Sequence, residues 1–455
     1  MKPFKVLSPT AILGYGFPEA SFLKGMEEKP DLIAVDAGST DPGPYYLGSG
    51  KSFTDRVGVK RDLRYMLTHG VLNKIPVVVG SAGGSGARPH VEWCRKIIEE
   101  IALEEKLSFR MGIVYADIDK AMVIEAVRAG QVTPLDDLPT PTPDDINSCP
   151  HIVAQMGIEP VRALLEEGVD VVLAGRAYDP VCFSALPIMK GYDAALATHM
   201  GKIIECAAIA AAPGSGADAV LGVLHEKHFV LKALNPMRKF TALSTAAHSL
   251  YEKSDPYHLP GPGGALDLSN VTFTELETGE VEVRGTKIIP TNPYRIKLEG
   301  SSPVGFRTIS IAGTRDPIMI ASLDNILKEV KARVDELLAK ENTEAKVFFH
   351  VYGKNGVMGG LEKGVYPSPF EAGIVIEVLA QTQEAADTVC SMTRSTLLHY
   401  GYEGRIATAG NLAFPFSPSD IRMGEAYQFT LYHLMDVSDP AAPFKREIVG
   451  VGGSK

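Results

Sequence analysis

The sequence predicts an α/β fold: an open, mainly parallel sheet with helices on both faces, plus smaller α+β C-terminal regions. Two observations carry this reading. Over residues 1–220, short and nearly continuous apolar runs alternate with amphipathic stretches, the pattern of strands buried on both faces of a sheet. Beyond residue 220 apolar and polar residues alternate instead, as in strands with one solvated face.

Strands are expected at residues 5–7, 32–35, 76–79, 111–115 and 169–173. A helix is expected over 91–106, where Ile97, Ile98, Ile101 and Leu103 recur at helical spacing. A second, over 158–167, stops at Gly168. Residues 134–150, rich in Pro, Asp and Thr, read as a long loop, and 192–212 as a helical stretch. Residues 271–289 read as a hairpin around Thr278-Gly279. A strand at 307–312 precedes a helix over 322–340, in which Leu323, Ile326, Val330, Val334 and Leu337 make one apolar stripe. After a linker at 340–344, strands at 346–352 and 374–379 and a helix at 383–400 suggest a small α+β domain. We therefore expect three regions, 1–220, 221–344 and 345–455, which suits 455 residues at roughly 100–200 per domain.

Composition narrows the function. The net charge of −10 argues against nucleic-acid binding, because phosphate contacts need a basic surplus or patch. No apolar run is long enough for a signal peptide or a bilayer span. Cysteines at 94, 149, 182, 206 and 390 form no CxxC pair and suit a reducing compartment. The expectation is a cytoplasmic protein with no membrane partner; homo-oligomerisation is expected on general grounds.

Candidate chemistry gathers where strands end, since open parallel sheets bind ligands at the carboxyl ends of their strands. After the strand at 32–35 come Asp36, Ser39, Thr40 and Asp41, suited to bind a substrate or a metal, or else to cap and turn. Residues 76–90 (PVVVGSAGGSGARPH) lead a glycine-rich loop, with Ser81, Gly83 and Gly84, into a helix; its amides and Arg88 are a candidate anion clamp. Of Asp117 and Asp119, one is a candidate ligand and the other a helix cap. Arg176 can fork a carboxylate, with Asp179 orienting it or acting as a base. His199, Lys202 and Cys206 share a helix face, and His199 is a further acid–base candidate. His225 and His228 sit at a probable strand edge, pointing to opposite faces, and no metal-ligand set is expected from the histidines. Mg²⁺ at the Asp-rich strand ends is a candidate cofactor.

Four motifs resemble the acyclic terpene utilisation AtuA family: LIAVDAGSTDPGPYYLG, VVLAGRAYDP, HSLYEKSDPYHLPG and GRIATAGNLAFPFSPSDI. The resemblance spans most of the chain. It implies acids handled as CoA thioesters in terpenoid catabolism, with CoA only as part of a substrate. Some members carry an additional C-terminal ferredoxin-like domain and others a separate short protein, so a short companion subunit is expected here. The implied site is Asp36, Ser39, Thr40, Asp41, Gly175, Arg176 and Asp179; Tyr251, Glu252 and Asp255 match a further motif.

The reading is a lyase, specifically a hydro-lyase or hydratase, acting on a small carboxylic acid or its CoA thioester. Its catalytic candidates are Asp36, Asp179 and His199. Its substrate-binding candidates are Ser39, Thr40, Asp41, Ser81, Gly83, Gly84, Arg88, Asp117 and Arg176. The alternatives are a CoA-dependent transferase or carbon–carbon lyase, and a noncatalytic ligand-binding or scaffold subunit.

Overall fold

The computed structural model describes residues 1–135, 137–251, 255–364, 367–406 and 408–453. The chain divides into two compact units, 1–302 with 429–455, and 303–428. The elements run β1 (Phe4–Ser8), α1 (Glu19–Glu27), β2 (Leu32–Asp36), α2 (Pro44–Ser49), α3 (Arg56–Leu72), β3 (Val77–Gly80), α4 (Arg88–Glu104), β4 (Phe109–Val114) and α5 (Lys120–Arg128). Next come β5 (Val132–Pro134), α6 (Pro143–Ser148), β6 (Ile152–Gln155), α7 (Ile158–Glu166), β7 (Val171–Ala174), α8 (Val181–Met189) and α9 (Ala194–Ile204). Then follow β8 (Val220–Leu224), β9 (Phe229–Ala233), α10 (Ala242–Leu250), β10 (His258–Gly261), β11 (Gly264–Asp267), β12 (Thr272–Glu275), β13 (Val281–Arg284) and β14 (Lys287–Pro290). The chain closes with β15 (Tyr294–Thr314), α11 (Pro317–Ala321), α12 (Leu323–Glu341), β16 (Ala345–Tyr352), β17 (Ala372–Ala380), α13 (Gln383–Leu398), β18 (Asp420–Val437) and β19 (Arg446–Val451).

The first unit is built on a ten-stranded sheet in the order β12-β13-β9-β8-β1-β2-β3-β7-β4-β19. Its centre, β1-β2-β3-β7-β4, is parallel throughout. The flanks are antiparallel, with β8 on β1 and β19 on β4. Strand periodicity explains why the central strands are apolar on both sides. Leu32, Ala34, Val78, Val172 and Ala174 face one core, with Phe183 of α8 and Met200 of α9. Ile33, Val35, Val77, Val79, Val171 and Leu173 face the other, with Leu63 and Met66 of α3 and Ile97 and Ile101 of α4. Each such side chain contributes about 1.5–3 kcal/mol by leaving water. The fold is the open α/β sheet expected, without barrel closure.

The units do not break near 220 and 344. β8 and β9 hydrogen-bond onto β1, so the chain beyond residue 220 extends the same sheet. The second unit instead begins within β15, at residue 303, and ends within β18. It runs strand, helix, strand, strand, helix, strand, in the order β16-β17-β15-β18, a split βαβ arrangement. Its core sets Leu323, Ile326, Val330 and Val334 of α12 with Ile374, Ile376 and Val378 of β17.

Smaller departures have local causes. The loop at 134–150 contains α6, because Thr142 and Asp145 form a capping box ahead of Pro143. The 271–289 hairpin closes at Arg284, and the next strand, β14, pairs with β11 in a separate three-stranded sheet. His225 and His228 lie in the turn between β8 and β9, where their rings stack rather than diverge. Among the described residues no helix is long and apolar enough to cross a membrane.

The loops after β3 and β7 lie against each other. Ser81 N and Ala82 N donate to the carbonyls of Gly175 and Ala174 (both 3.0 Å), and Arg176 N donates to Gly86 O (3.2 Å). Only glycine fits here: Gly86 has φ +67°, and a Cβ on it would lie 2.1 Å from Arg176 N. Gly86→Ala should therefore cost about 3 kcal/mol or more and lower Tm by roughly 5–10 °C. Thermal unfolding followed by circular dichroism tests this; a wild-type Tm would show that the two loops part easily.

Candidate functional site

Period two along the strands places Asp36, Gly80 and Arg176 over the same face of the sheet, the one covered by α8 and α9. Arg176 is 2% exposed and Glu299, from β15, is wholly buried. Arg176 Nε donates to Glu299 Oε2 (2.8 Å). Its Nη1 donates to Ala177 O (3.1 Å), Ser81 Oγ (3.3 Å) and Gly38 O (3.5 Å), and lies 3.7 Å from Asp179 Oδ1. Among the described residues, Nη2 donates to no protein acceptor. Lys297 supplies a second cation, 2.8 Å from Glu299 Oε1, at an angle that makes an ion pair rather than an aligned hydrogen bond.

α9 brings Lys202 to the other side of Asp179. Lys202 Nζ donates to Asp179 Oδ2 and Glu205 Oε1, both at 2.9 Å. Ser81 adopts φ +45°, a left-handed conformation costly for serine. This strained turn aims its hydroxyl at the cluster, where it accepts from Ala177 N (3.3 Å) and Arg176 Nη1 (3.3 Å).

The electrostatics separate these groups. Burial raises Asp36 well above the usual carboxylate range; Asp179 and Glu205 add to this, and Arg176 only partly opposes it. Burial also raises Glu205, with Lys202 opposing. Glu299 is pushed up by burial but brought below the ordinary range by Arg176 and Lys297. Lys202 loses solvation, yet Glu205 and Asp179 hold it firmly charged. Burial thus drives Asp36 towards its protonated form beside the ion-paired Asp179.

The structure brings together Asp36, Ser81, Arg176 and Asp179 from the sequence-predicted set. Ser39 donates to Asp41 Oδ2 (2.7 Å) on the surface, while Thr40 is buried. The glycine loop spends its amides internally: those of Ser81, Ala82, Gly84 and Gly86 all donate to carbonyls, and Gly83 O accepts from Phe53 N. Among the described residues, the amides of Gly83 and Ser85 donate to no carbonyl, and that of Ala87 donates to His90 Nδ1. Arg88 is exposed and stacks on the Tyr115 ring, 3.8 Å from its centroid. Asp119 is the cap, accepting from Ala121 N (2.8 Å), and Asp117 is half-buried, with its Oδ2 enclosed and making no hydrogen bond among the described residues.

His199 lies elsewhere in the core. Its ring nitrogens engage Thr286 Oγ1 (2.7 Å) and Ser249 Oγ (3.3 Å), Phe229 meets it edge-on, and burial depresses it to about 3. Asp255 accepts from His258 Nδ1 (2.8 Å), Tyr251 lies beside the His248 ring, and Glu252 falls outside the described residues. Glu299 and Lys297 escaped the sequence reading. They alternate with Ile296 and Leu298, so they look like the wet side of an ordinary strand; only the burial of the next three residues, Gly300 to Ser302, hints otherwise.

Among the described residues no group of three His, Cys, Asp or Glu side chains could hold a metal. The cluster's carboxylates are already matched by Arg and Lys, a donor set that does not suit Mg²⁺.

A family model, the acyclic terpene utilisation family protein AtuA, matches residues 56–216 and 229–416. The chain belongs to the AtuA family. The matched AtuA span holds Ser81, Arg176, Asp179, Lys202 and Glu299, and Asp36 lies ahead of it. No curated protein and no solved structure matches the chain.

Burial raises Asp117 to about 6, with the Arg88 amide and charge partly opposing. Its folded-state value is above the unfolded one, so its stabilising contribution is complete below pH ~4 and is lost as pH rises through about 6. Wild type should therefore lose on the order of 2–3 kcal/mol between pH ~4 and ~7 relative to Asp117→Asn. Urea unfolding of both proteins across that range is the check, and parallel pH profiles would refute it.

Proposed function

We propose that this family member is a hydro-lyase that adds or removes water beside the carboxyl or thioester group of a small acid, in acid or terpenoid catabolism. The observation that carries the reading is the pairing of a buried carboxyl driven towards its protonated form, Asp36, with an ion-paired carboxylate, Asp179, beside one arginine. Carboxyls driven apart in this way divide the roles of acid and base.

In the dehydration direction Asp179 takes the proton from the carbon beside the carboxyl group. The electron pair moves to the carbonyl oxygen, where Lys202 and Arg176 Nη2 offset the developing charge. Asp36 then gives its proton to the departing hydroxyl, which leaves as water while the carbon–carbon double bond forms. Hydration runs the same steps backwards, with Asp36 taking the proton of the attacking water. The apolar strands beneath play no part in the proton transfers; they hold Asp36 and Glu299 out of water, where these charges act strongly.

The test is deuterium incorporation beside the carboxyl group, by NMR in D₂O, with unsaturated and hydroxy carboxylic acids and their CoA esters. Exchange should occur in wild type and fall at least ~100-fold in Asp36→Asn and in Asp179→Asn. Asp36→Asn replaces a carboxyl held towards its neutral form by a neutral amide, so it should keep the wild-type Tm. Undiminished alkene–alcohol interconversion in Asp36→Asn would exclude it as the acid.

A further inference from the structure

A second feature lies beside the charged cluster. The three-stranded sheet β10-β11-β14 faces α8 and α9 across a cavity of about 180 Å³. Leu259, Leu266 and Ile288 line it from the sheet, and Val181, Ile188 and Ala194 from the helices. Its position is tied to the cluster by the chain itself. Tyr178 and Pro180, on either side of Asp179, both line it, and Thr198 lies one helical turn before Lys202.

One polar atom breaks the apolar lining without a partner. Ser184 is wholly buried, lines the cavity, and its Oγ makes no hydrogen bond among the described residues. The Glu159 carboxylate, in contrast, is engaged by Tyr294 Oη at 2.8 Å. Buried hydroxyls are nearly always hydrogen-bonded, so an orphan one in a cavity wall marks a place for a polar ligand atom. The size of the space limits the rest: a cavity of about 150 Å³ with similar lining accepts benzene, so this one suits about five or six carbons.

We propose that this cavity binds the non-reacting end of the substrate, a compact aliphatic group of about five or six carbons carrying a hydrogen-bond acceptor for Ser184. The inference rests on the hydro-lyase reading for where the carboxyl end lies, at Asp179 and Lys202. It makes the residues of the hairpin β10–β11 and of α8 the determinants of which acid is chosen. Long unbranched chains do not fit.

Calorimetric binding to the full chain separates the two readings. The probes are acetate, 3-methylbutanoate, decanoate and the neutral 3-methylbutan-1-ol. Affinity should rise at least tenfold from acetate to 3-methylbutanoate and fall again for decanoate. Ala265→Trp, or Ala194→Trp from the opposite wall, should erase the gain for 3-methylbutanoate while leaving acetate binding unchanged. Acids that bind with no dependence on chain would overturn the cavity assignment and leave the charged site standing. Binding of the alcohol alone, lost in Ala265→Trp, would support the cavity and count against the carboxylate site. No binding of acid or alcohol would overturn the cavity assignment.

Discussion

The first unit depends on one buried ion pair, Arg176 with Glu299. Removing two ions from water costs several kcal/mol each, and such a pair persists only if further hydrogen bonds satisfy both partners. Here they do. Nη1 of Arg176 reaches Ser81, Ala177 and Gly38, so one guanidinium ties together the loops that follow β2, β3 and β7. Glu299 is shared with Lys297, whose ammonium also lies over the Tyr432 ring. The pair joins the loop after β7 to a strand more than a hundred residues further on, and the positions of Asp36 and Asp179 follow from it.

This arrangement changes what the glycine-rich loop is for. A loop leading into a helix suggests amides pointing at an anion. In this fold the amides of Ser81 and Ala82 are committed to the β7 loop, and the glycines let two backbones touch. His90 replaces a conventional side-chain cap, accepting from Ala87 N through Nδ1 while Nε2 donates to Lys51 O. With the backbone committed in this way, recognition of charge passes to side chains, chiefly Arg176 and Lys202.

The parallel core could be read in the sequence because each central strand is buried on both faces, which leaves a local mark: LIAVD, VVVG, VVLA. Strand-end residues were readable for the same reason, since Asp36 and Arg176 stand where an apolar run stops. What could not be read depends on pairing at a distance. β19 joins the sheet edge beside β4, and nothing in REIVGV specifies that neighbour. His199 shows the reverse error of local reasoning. Its spacing from Lys202 is that of one helix face, yet Thr286 and Ser249, from two separate segments, enclose its ring.

The proton count of the cluster follows from these long-range contacts. Among the described residues, the carboxyls of Asp36, Asp179, Glu205 and Glu299 face the cations Arg176, Lys202 and Lys297. Four negative charges against three positive ones, in a largely buried site, favour keeping a proton. Glu299 cannot hold it, because two cations flank it; Asp179 sits between Arg176 and Lys202. Glu205 has Lys202 at 2.9 Å. Among the described residues Asp36 pairs with no lysine; it is 3% exposed and feels Asp179 and Glu205 as like charges. These contacts push the carboxyl at the end of β2 hardest towards its protonated form, at the position where the chain turns from buried strand to surface loop.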